Sequence, residues 1–338
     1  MIQQAIQTLL DGRDLPREEA REVMGEIMGG EATPAQIGGF LVALRAKGET
    51  ADEIAGCAEA MRAHVLHVRP EREDVVDVVG TGGDGAGTFN ISTTAAVVAA
   101  AAGAAVAKHG NRAVSSVSGS ADVLEALGFE LEQPAHRIAE SIDSLGFGFM
   151  FAPLHHPAMK HAAPVRRELG TRTVFNVLGP LTNPAGARAG VFGVYSAEMA
   201  RTVAEALAVL DSRRAFVVHG ANGVDELSPA GPNLVLEVSG GDVRERTLDP
   251  VELGIARCDP AELSGGSPAE NADTARKVLQ GQPGAKRDAV VLNAAGAIAA
   301  AGHAADLREG LSVAADAIDS GRAAARLEEL AAFSREST

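Results

Sequence analysis

The chain has 338 residues, enough for one large domain or two moderate ones, and its composition is that of a globular protein rich in Ala and Gly. A formal net charge of −15 argues against nucleic acid and anionic membrane as partners, because such a surface repels both. With no Trp, one Tyr and ten Phe, the chain also has few of the exposed aromatics on which bases stack.

Met1-Ile2-Gln3-Gln4 opens an amphipathic pattern, not a basic and then apolar one, so no signal peptide is expected. Ile2, Ala5, Ile6, Leu9 and Leu10 repeat at helical spacing. A second helix begins at Leu15-Pro16, with Ala20, Val23, Met24 and Ile27 along its apolar side. Thr33-Pro34 reads as an N-cap with proline at N1, leading a third helix from Ile37 to Leu44. Thr50-Ala51-Asp52-Glu53 is a capping box for a fourth helix running to about Val65. Arg69-Pro70-Glu71-Arg72 then reads as a hinge.

From Val75 onward strands alternate with helices. Strands are predicted over 75–79, 104–108, 149–151, 191–194, 215–219, 234–238 and 244–248. Helices are predicted between them over 121–126, 137–144, 157–169 and 197–210, and then over 269–279, 288–301, 307–320 and 323–333. This is the α/β pattern of a mainly parallel sheet beside a small N-terminal helical domain. The Ala-rich helices point to close packing. The apolar run 95–107 is too short, and too poor in large side chains, to span a bilayer. Cys57 and Cys258 are far apart without metal spacing, which fits a reducing cytoplasm.

The strongest chemical signal is Gly80-Thr81-Gly82-Gly83-Asp84 followed by Asn90-Ile91-Ser92-Thr93. A strand that ends in glycines and hydroxyls and then opens a helix outlines an anion site, since glycine backbone approaches an anion closely and the helix dipole favours negative charge. Ser92 and Thr93 are placed at the N-cap. The pattern is neither a P-loop nor a complete dinucleotide fingerprint, and its two halves suit two nearby anionic groups such as a phosphate and a pyrophosphate on one sugar. A second polar loop follows the strand ending at Lys108 and runs from His109 through Ser120, which is placed as the cap of the next helix. Two such loops at the carboxyl ends of neighbouring strands mark the edge where open α/β sheets bind ligands. A third motif, His219 to Glu226, sets Asp225-Glu226 beyond a buried strand, a hard-oxygen pair suited to Mg²⁺ beside a pyrophosphate. In the fourth, a helix from about Pro157 carries Arg166 and Arg167. One of these guanidinium groups suits a substrate carboxylate, the other an ion pair with Glu168 or Glu226. His155-His156 lacks metal spacing. The segment 172–185 reads as rigid turns, with Gly179 allowing a ligand close approach.

Together these segments resemble the anthranilate phosphoribosyltransferase family over essentially the whole chain. The matching motifs are GTGGD at 80–84, TFNIST at 88–93, KHGNRAVSSVSGSADVLEALG at 108–128, HPAMK at 156–160, VRRELGTRTVFNVLGPLTNPA at 165–185 and DEL at 225–227. The resemblance implies a fold like that of the thymidine-type nucleoside phosphorylases. Residues 1–70 would form the helical domain, with a contribution from about 165–190, and 71–338 the α/β domain. The active site would lie in the cleft between them, and a homodimer would form through the helical domain. It implies that phosphoribosyl pyrophosphate is held by Gly80, Gly83, Asp84, Thr88, Asn90, Ile91, Ser92, Thr93, Lys108, His109, Gly110, Asn111, Arg112, Ala113, Val114, Ser115, Ser116 and Ser120. Anthranilate would be held by Gly80, Asn111, Arg166 and Gly179, with His109 and His156 nearby, and Mg²⁺ by Ser92, Asp225 and Glu226. No acid or base is implied. A pyrimidine nucleoside phosphorylase on the same fold is disfavoured by the Asn111/Arg166 and Asp225-Glu226 sets, and a nucleic-acid-binding relative by the charge.

Overall fold

The computed structural model describes residues 1–113 and 117–336. The chain opens with four helices, α1 (Ile2–Leu10), α2 (Arg17–Gly29), α3 (Pro34–Lys47) and α4 (Ala51–Ala63). Their starts are local chemistry. Thr33 Oγ1 accepts the Gln36 N–H at 3.3 Å while Gln36 Oε1 accepts the Thr33 N–H at 2.8 Å, and Thr50 and Glu53 make the same exchange. Glu53 does more than cap. It is fully buried, its Oε1 accepts the Leu15 N–H at 2.9 Å, and its Oε2 also takes the Lys47 ammonium at 2.9 Å. Glu53→Ala would strand the buried Leu15 amide and leave the nearly buried Lys47 only its pairing with the exposed Asp14 at 2.5 Å, so a loss of about 3 kcal/mol is expected. Urea denaturation checks this, and a loss near zero would show that water replaces the carboxylate at no cost.

The remaining elements alternate as the sequence predicts. They are β1 (Asp77–Gly80), α5 (Ile91–Ala101), β2 (Val106–Gly110), α6 (Ser120–Ala126), α7 (Ala135–Leu145), β3 (Phe147–Phe151), α8 (Ala152–His155), α9 (Ala163–Leu169), α10 (Phe175–Leu181), β4 (Ala189–Gly193), α11 (Ala197–Val209), β5 (Arg214–His219), β6 (Asn233–Ser239), β7 (Asp242–Leu248), α12 (Pro268–Leu279), α13 (Ala285–Ala301), α14 (Leu307–Asp319) and α15 (Arg322–Arg335). Strands β1, β4 and β5 pair in parallel, and β6 and β7 extend that sheet antiparallel at one edge. The parallel pair β2–β3 joins β1 through Val76, whose N–H donates to Ala105 and whose carbonyl accepts from Ala107, both at 2.8 Å. The sheet is therefore mainly parallel. Strand β1 stands where the order reverses, with β2 on one side and β4 on the other, and a ligand crevice opens at the carboxyl end of such a strand.

Two large apolar cores flank the sheet. One buries α5, α13, α14 and α15 against one face. Small residues let these helices approach closely: a Cβ on Gly310 would lie 2.6 Å from the Ala295 carbonyl, and one on Gly296 would lie 2.7 Å from Val191. The other core joins the N-terminal helices to α11, and it also takes in Val165, Phe175, Leu178 and Leu181 from α9 and α10.

Four local expectations are corrected. The single helix over 157–169 is instead a 3₁₀ turn (Pro157–Lys160) followed by the separate α9. Pro164 has no N–H to donate, and its ring would clash with the carbonyl four residues back, so the helix restarts there. The segment 172–185 contains α10, not only turns, and Asn176 Oδ1 takes the Thr173 N–H at 3.0 Å near its start. Asn90, not Ser92 or Thr93, is the N-cap of α5. Gly119, not Ser120, precedes α6, where Asp122 Oδ2 reaches back to the Gly119 N–H at 2.9 Å.

Candidate functional site

A cleft of about 720 Å³ opens at the carboxyl ends of β1 and β2. It collects nearly every described residue that the sequence singles out: Gly80, Gly83, Asp84, Thr88, Asn90, Ser92, Thr93, Lys108 to Ala113, Ser120, His156, Arg166, Gly179, Asp225 and Glu226. Ile91 is the exception, since its side chain is buried in the core below the start of α5. Val114, Ser115 and Ser116 lie outside the described residues.

The acidic end is tightly built. Asp225 follows β5 and its 3₁₀ turn, and its backbone passes so near β1 and β4 that only glycine fits opposite. A Cβ on Gly193 would lie 1.6 Å from the Asp225 carbonyl oxygen, and one on Gly80 would lie 2.3 Å from Asp225 Oδ2. Asp225 Oδ2 accepts the Gly82 N–H at 2.6 Å, and the Asp225 N–H donates to Asp84 Oδ2 at 3.3 Å. Glu226 Oε1 accepts the Ser92 N–H at 3.1 Å, in the first turn of α5. Burial, with Asp84 beside it, pushes the Asp225 carboxyl up to about 7. Burial, with Asp225 beside it, pushes Glu226 up to about 8, against the pull of Lys108. Crowded carboxyls whose ionisation is this costly suit a hard divalent cation. Among the described residues no group of three or more His, Cys, Asp or Glu side chains could hold a metal ion alone. That donor set fits Mg²⁺, which keeps waters and takes phosphate oxygens as its other ligands.

Lys108 lies at the floor of the cleft, 2 % exposed, and its Nζ donates to the Val78 carbonyl at 2.5 Å. Burial pulls its basicity down, opposed first by Asp77 and then by Glu226 and Asp225. Asp77 lies outside every motif the sequence offers. Burial pushes its carboxyl up to about 6 against the pull of Lys108. It accepts the Val78 N–H at 2.8 Å, the His109 N–H at 3.3 Å and Asn183 Nδ2 at 2.7 Å, and Asn183 Nδ2 also donates to Ala107 at 2.8 Å. This buried knot ties β1, β2 and the turn after α10 together. Asn271 is a second residue that sequence reasoning misses. From α12 its Nδ2 donates to Asn90 Oδ1 at 2.9 Å, and Asn90 also bonds Ser118. Neither partnership has a local signal, since 106 residues separate the first pair and 181 the second.

The second polar loop is partly spent on its own structure. Arg112 pairs with Asp122 at 3.0 Å and Glu125 at 2.8 Å. The Ala113 N–H goes to Asp122 Oδ2 at 2.8 Å, and Ser120 Oγ donates to the Asn111 carbonyl at 3.3 Å.

Two imidazoles and a guanidinium line the same cleft. The His109 and His156 rings are 4.9 Å apart. Burial, then each one's neighbouring histidine, holds His109 down at about 3 and His156 at about 4, so both are neutral at pH 7. His109 Nδ1 donates to the Gly179 carbonyl at 3.2 Å, which leaves Nε2 as a buried acceptor with no partner among the described residues, and the same holds for His156 Nε2. His155 also bonds a backbone carbonyl, that of Leu66, through Nδ1 at 2.9 Å, but it does not line the cleft, which fits a packing role. Arg166 is half-buried over the Phe175 ring at 5.1 Å and has no carboxylate partner among the described residues. Among the same residues Arg167 pairs with neither Glu168 nor Glu226. Lys160, Asn176 and Met61 also line the cleft.

The comparisons with known proteins agree with this arrangement. One family model, described as "Glycosyl transferase family, helical bundle domain", matches residues 3–65, and a second, "Glycosyl transferase family, a/b domain", matches 72–324. Anthranilate phosphoribosyltransferase of Pelotomaculum thermopropionicum is 53% identical over 333 residues, covering 98% of this chain and 96% of its own. The crystal structure of the Thermus thermophilus anthranilate phosphoribosyltransferase superposes with a TM-score of 0.93 at 51% identity, over 98% of this chain and 99% of the other. The Saccharomyces cerevisiae enzyme in complex with PRPP and Mg superposes at 0.88 with 30% identity, over 98% and 97%.

Proposed function

The chain belongs to the anthranilate phosphoribosyltransferase family, and on that premise we propose how its cleft performs the family's reaction. The phosphoribosyl group of 5-phospho-α-D-ribose 1-diphosphate is transferred to the amine of anthranilate, giving N-(5-phosphoribosyl)anthranilate and pyrophosphate in tryptophan biosynthesis. The observation that carries the reading is that one cleft gathers two sets of groups. It holds a glycine loop, Lys108 and a carboxylate pair, and it also holds two neutral imidazoles and Arg166, which has no carboxylate partner among the described residues.

The phosphoribosyl pyrophosphate lies along Gly80, Gly83, Asp84, Thr88 and 90–93, and across Lys108 to Ser116 and Ser120. Ser92, Asp225 and Glu226 would hold Mg²⁺, which would supply positive charge to neutralise the pyrophosphate. As the bond from the sugar's anomeric carbon to pyrophosphate breaks, Lys108 and the loop N–H groups stabilise the growing negative charge. Anthranilate lies against Gly80, Asn111 and Gly179, its carboxylate on the Arg166 fork. The amine is neutral and weakly basic, so placement beside the anomeric carbon is worth more to it than a strong base. His109 Nε2, an acceptor with no partner among the described residues, suits an amine N–H.

The division of the chain near residue 70, with α9 and α10 joining the helical part, is supported by the shared core of these helices. Pairing of two copies through the helical part is supported by Leu10 and Val42, which stand exposed on α1 and α3. Among the described residues no helix is long and apolar enough to cross a membrane, in keeping with the cytoplasmic reading.

The direct test mixes protein, anthranilate, phosphoribosyl pyrophosphate and Mg²⁺ and follows anthranilate fluorescence. Loss that requires all three additions is expected. A folded protein that leaves anthranilate untouched, yet cleaves pyrimidine nucleosides with phosphate, would replace this reading.

A further inference from the structure

The loop after β1 carries four glycines in the left-handed region, Gly82 (φ 68°), Gly83 (73°), Gly85 (74°) and Gly87 (62°). Such a loop has wide backbone freedom, and ordering it around a ligand costs entropy that weakens binding. Its ends are tied. The Thr81 N–H donates to Gly193 at 2.9 Å, the Gly82 N–H to Asp225, and the Gly87 carbonyl accepts from Gly265 at 2.8 Å. Its middle is held by a residue outside the cleft lining, Arg172, whose guanidinium donates to the Gly83 carbonyl.

Arg172 is itself held from two sides. Its guanidinium carbon lies 4.2 Å from the ring centre of Tyr195, just past β4, and its carbonyl accepts the guanidinium of Arg45 from α3. It has no carboxylate partner among the described residues. The guanidinium packs at ordinary contact distance on the loop, where a Cβ on Gly83 would lie 3.6 Å from Arg172 Nε. The residue after Gly83 is Asp84, which accepts the Asp225 N–H, so the brace also sets the register of the acidic end.

We propose that Arg172 is a positioning residue: with Tyr195 and Arg45 behind it, it presets the glycine loop in the conformation that receives the pyrophosphate-bearing sugar. This rests on the assignment of the loop to that substrate. Arginine suits the task because a planar guanidinium stacks on a ring and donates in its own plane at once, which an ammonium does not.

The test compares Arg172→Ala, Arg172→Lys and Tyr195→Phe with wild type by steady-state kinetics for each substrate and by calorimetric titration with phosphoribosyl pyrophosphate and Mg²⁺. Arg172→Ala is expected to raise the KM and Kd for phosphoribosyl pyrophosphate about 10-fold or more, with the anthranilate KM essentially unchanged. Arg172→Lys should show the same one-sided rise, smaller, and Tyr195→Phe, which keeps the ring, should match wild type. Equal shifts for both substrates, or none, would overturn the brace. Should Arg172→Ala fail to fold, Arg172→Lys decides, and wild-type constants there would overturn it. A wild type that binds phosphoribosyl pyrophosphate without turning over would defeat the assigned reaction instead, while the Kd ratio would still judge the brace.

Discussion

Asp225→Asn combined with Glu226→Gln is expected to lower Mg²⁺-dependent turnover at least about a thousandfold and, at the same time, to raise the melting temperature of the cation-free protein at pH 8. Both effects come from one fact. Two carboxyls are buried side by side near Asp84, and their ionisation is pushed up to about 7 and about 8. In the unfolded chain they ionise near pH 4. Between about pH 4 and pH 8 the folded state therefore holds more protons than the unfolded state, and stability falls as pH rises. The support that the protonated pair lends the fold is complete below the unfolded value and gone above the folded one. Amides of similar shape remove this slope, so the variant's melting temperature should change little over the same interval. They also remove the anionic oxygens that Mg²⁺ requires. Wild-type activity should rise with pH through the same range, because protons compete with the cation for the pair. Melting curves at several pH values, with and without Mg²⁺ and pyrophosphate, check the first part, and the anthranilate fluorescence assay checks the second. Substantial turnover in the double variant would move the cation to other ligands.

The second large effect is expected at Arg166, in the lining of the same cleft. Arg166→Ala should raise the anthranilate KM about 10- to 100-fold, the value of one charge-assisted hydrogen-bonding fork, and leave the KM for phosphoribosyl pyrophosphate nearly unchanged. The side chain is half-buried, lies over Phe175 and has no acid among the described residues to neutralise it, so burial lowers its basicity with nothing to offset the cost until a carboxylate arrives. Arg167, one residue on, does not line the cleft, and Arg167→Ala is the control that should behave as wild type. A rise of equal size for both substrates would mean that Arg166 supports the cleft without gripping anthranilate.

Much of this was legible in the chain because it is local. The helix starts at Thr33 and Thr50 are written within four residues, and the strands and helices after Val75 follow from apolar periodicity and punctuation. The glycine loop and the His109–Arg112 loop announce an anion site because each sits directly after a strand. Even the break at Pro164 was present in the letters, though the run of helix-compatible residues around it masked the missing N–H. The rest depends on which strands become neighbours, and no short window contains that. Placement of β4 beside β1 brings the Asp225 backbone against Gly193 and its carboxylate against Gly80. The turn after α10 carries Asn183 to Asp77, α12 carries Asn271 to Asn90, and the 170–174 turn carries Arg172 to the Gly83 carbonyl. Burial is settled at the same level. The same Asp-Glu pair on an open surface would ionise as ordinary acids. Local chemistry, then, was enough to specify the elements and the kinds of group offered to a ligand. Their distances, their desolvation and therefore their charge states came with the assembled sheet, because each depends on partners 30 to 181 residues away.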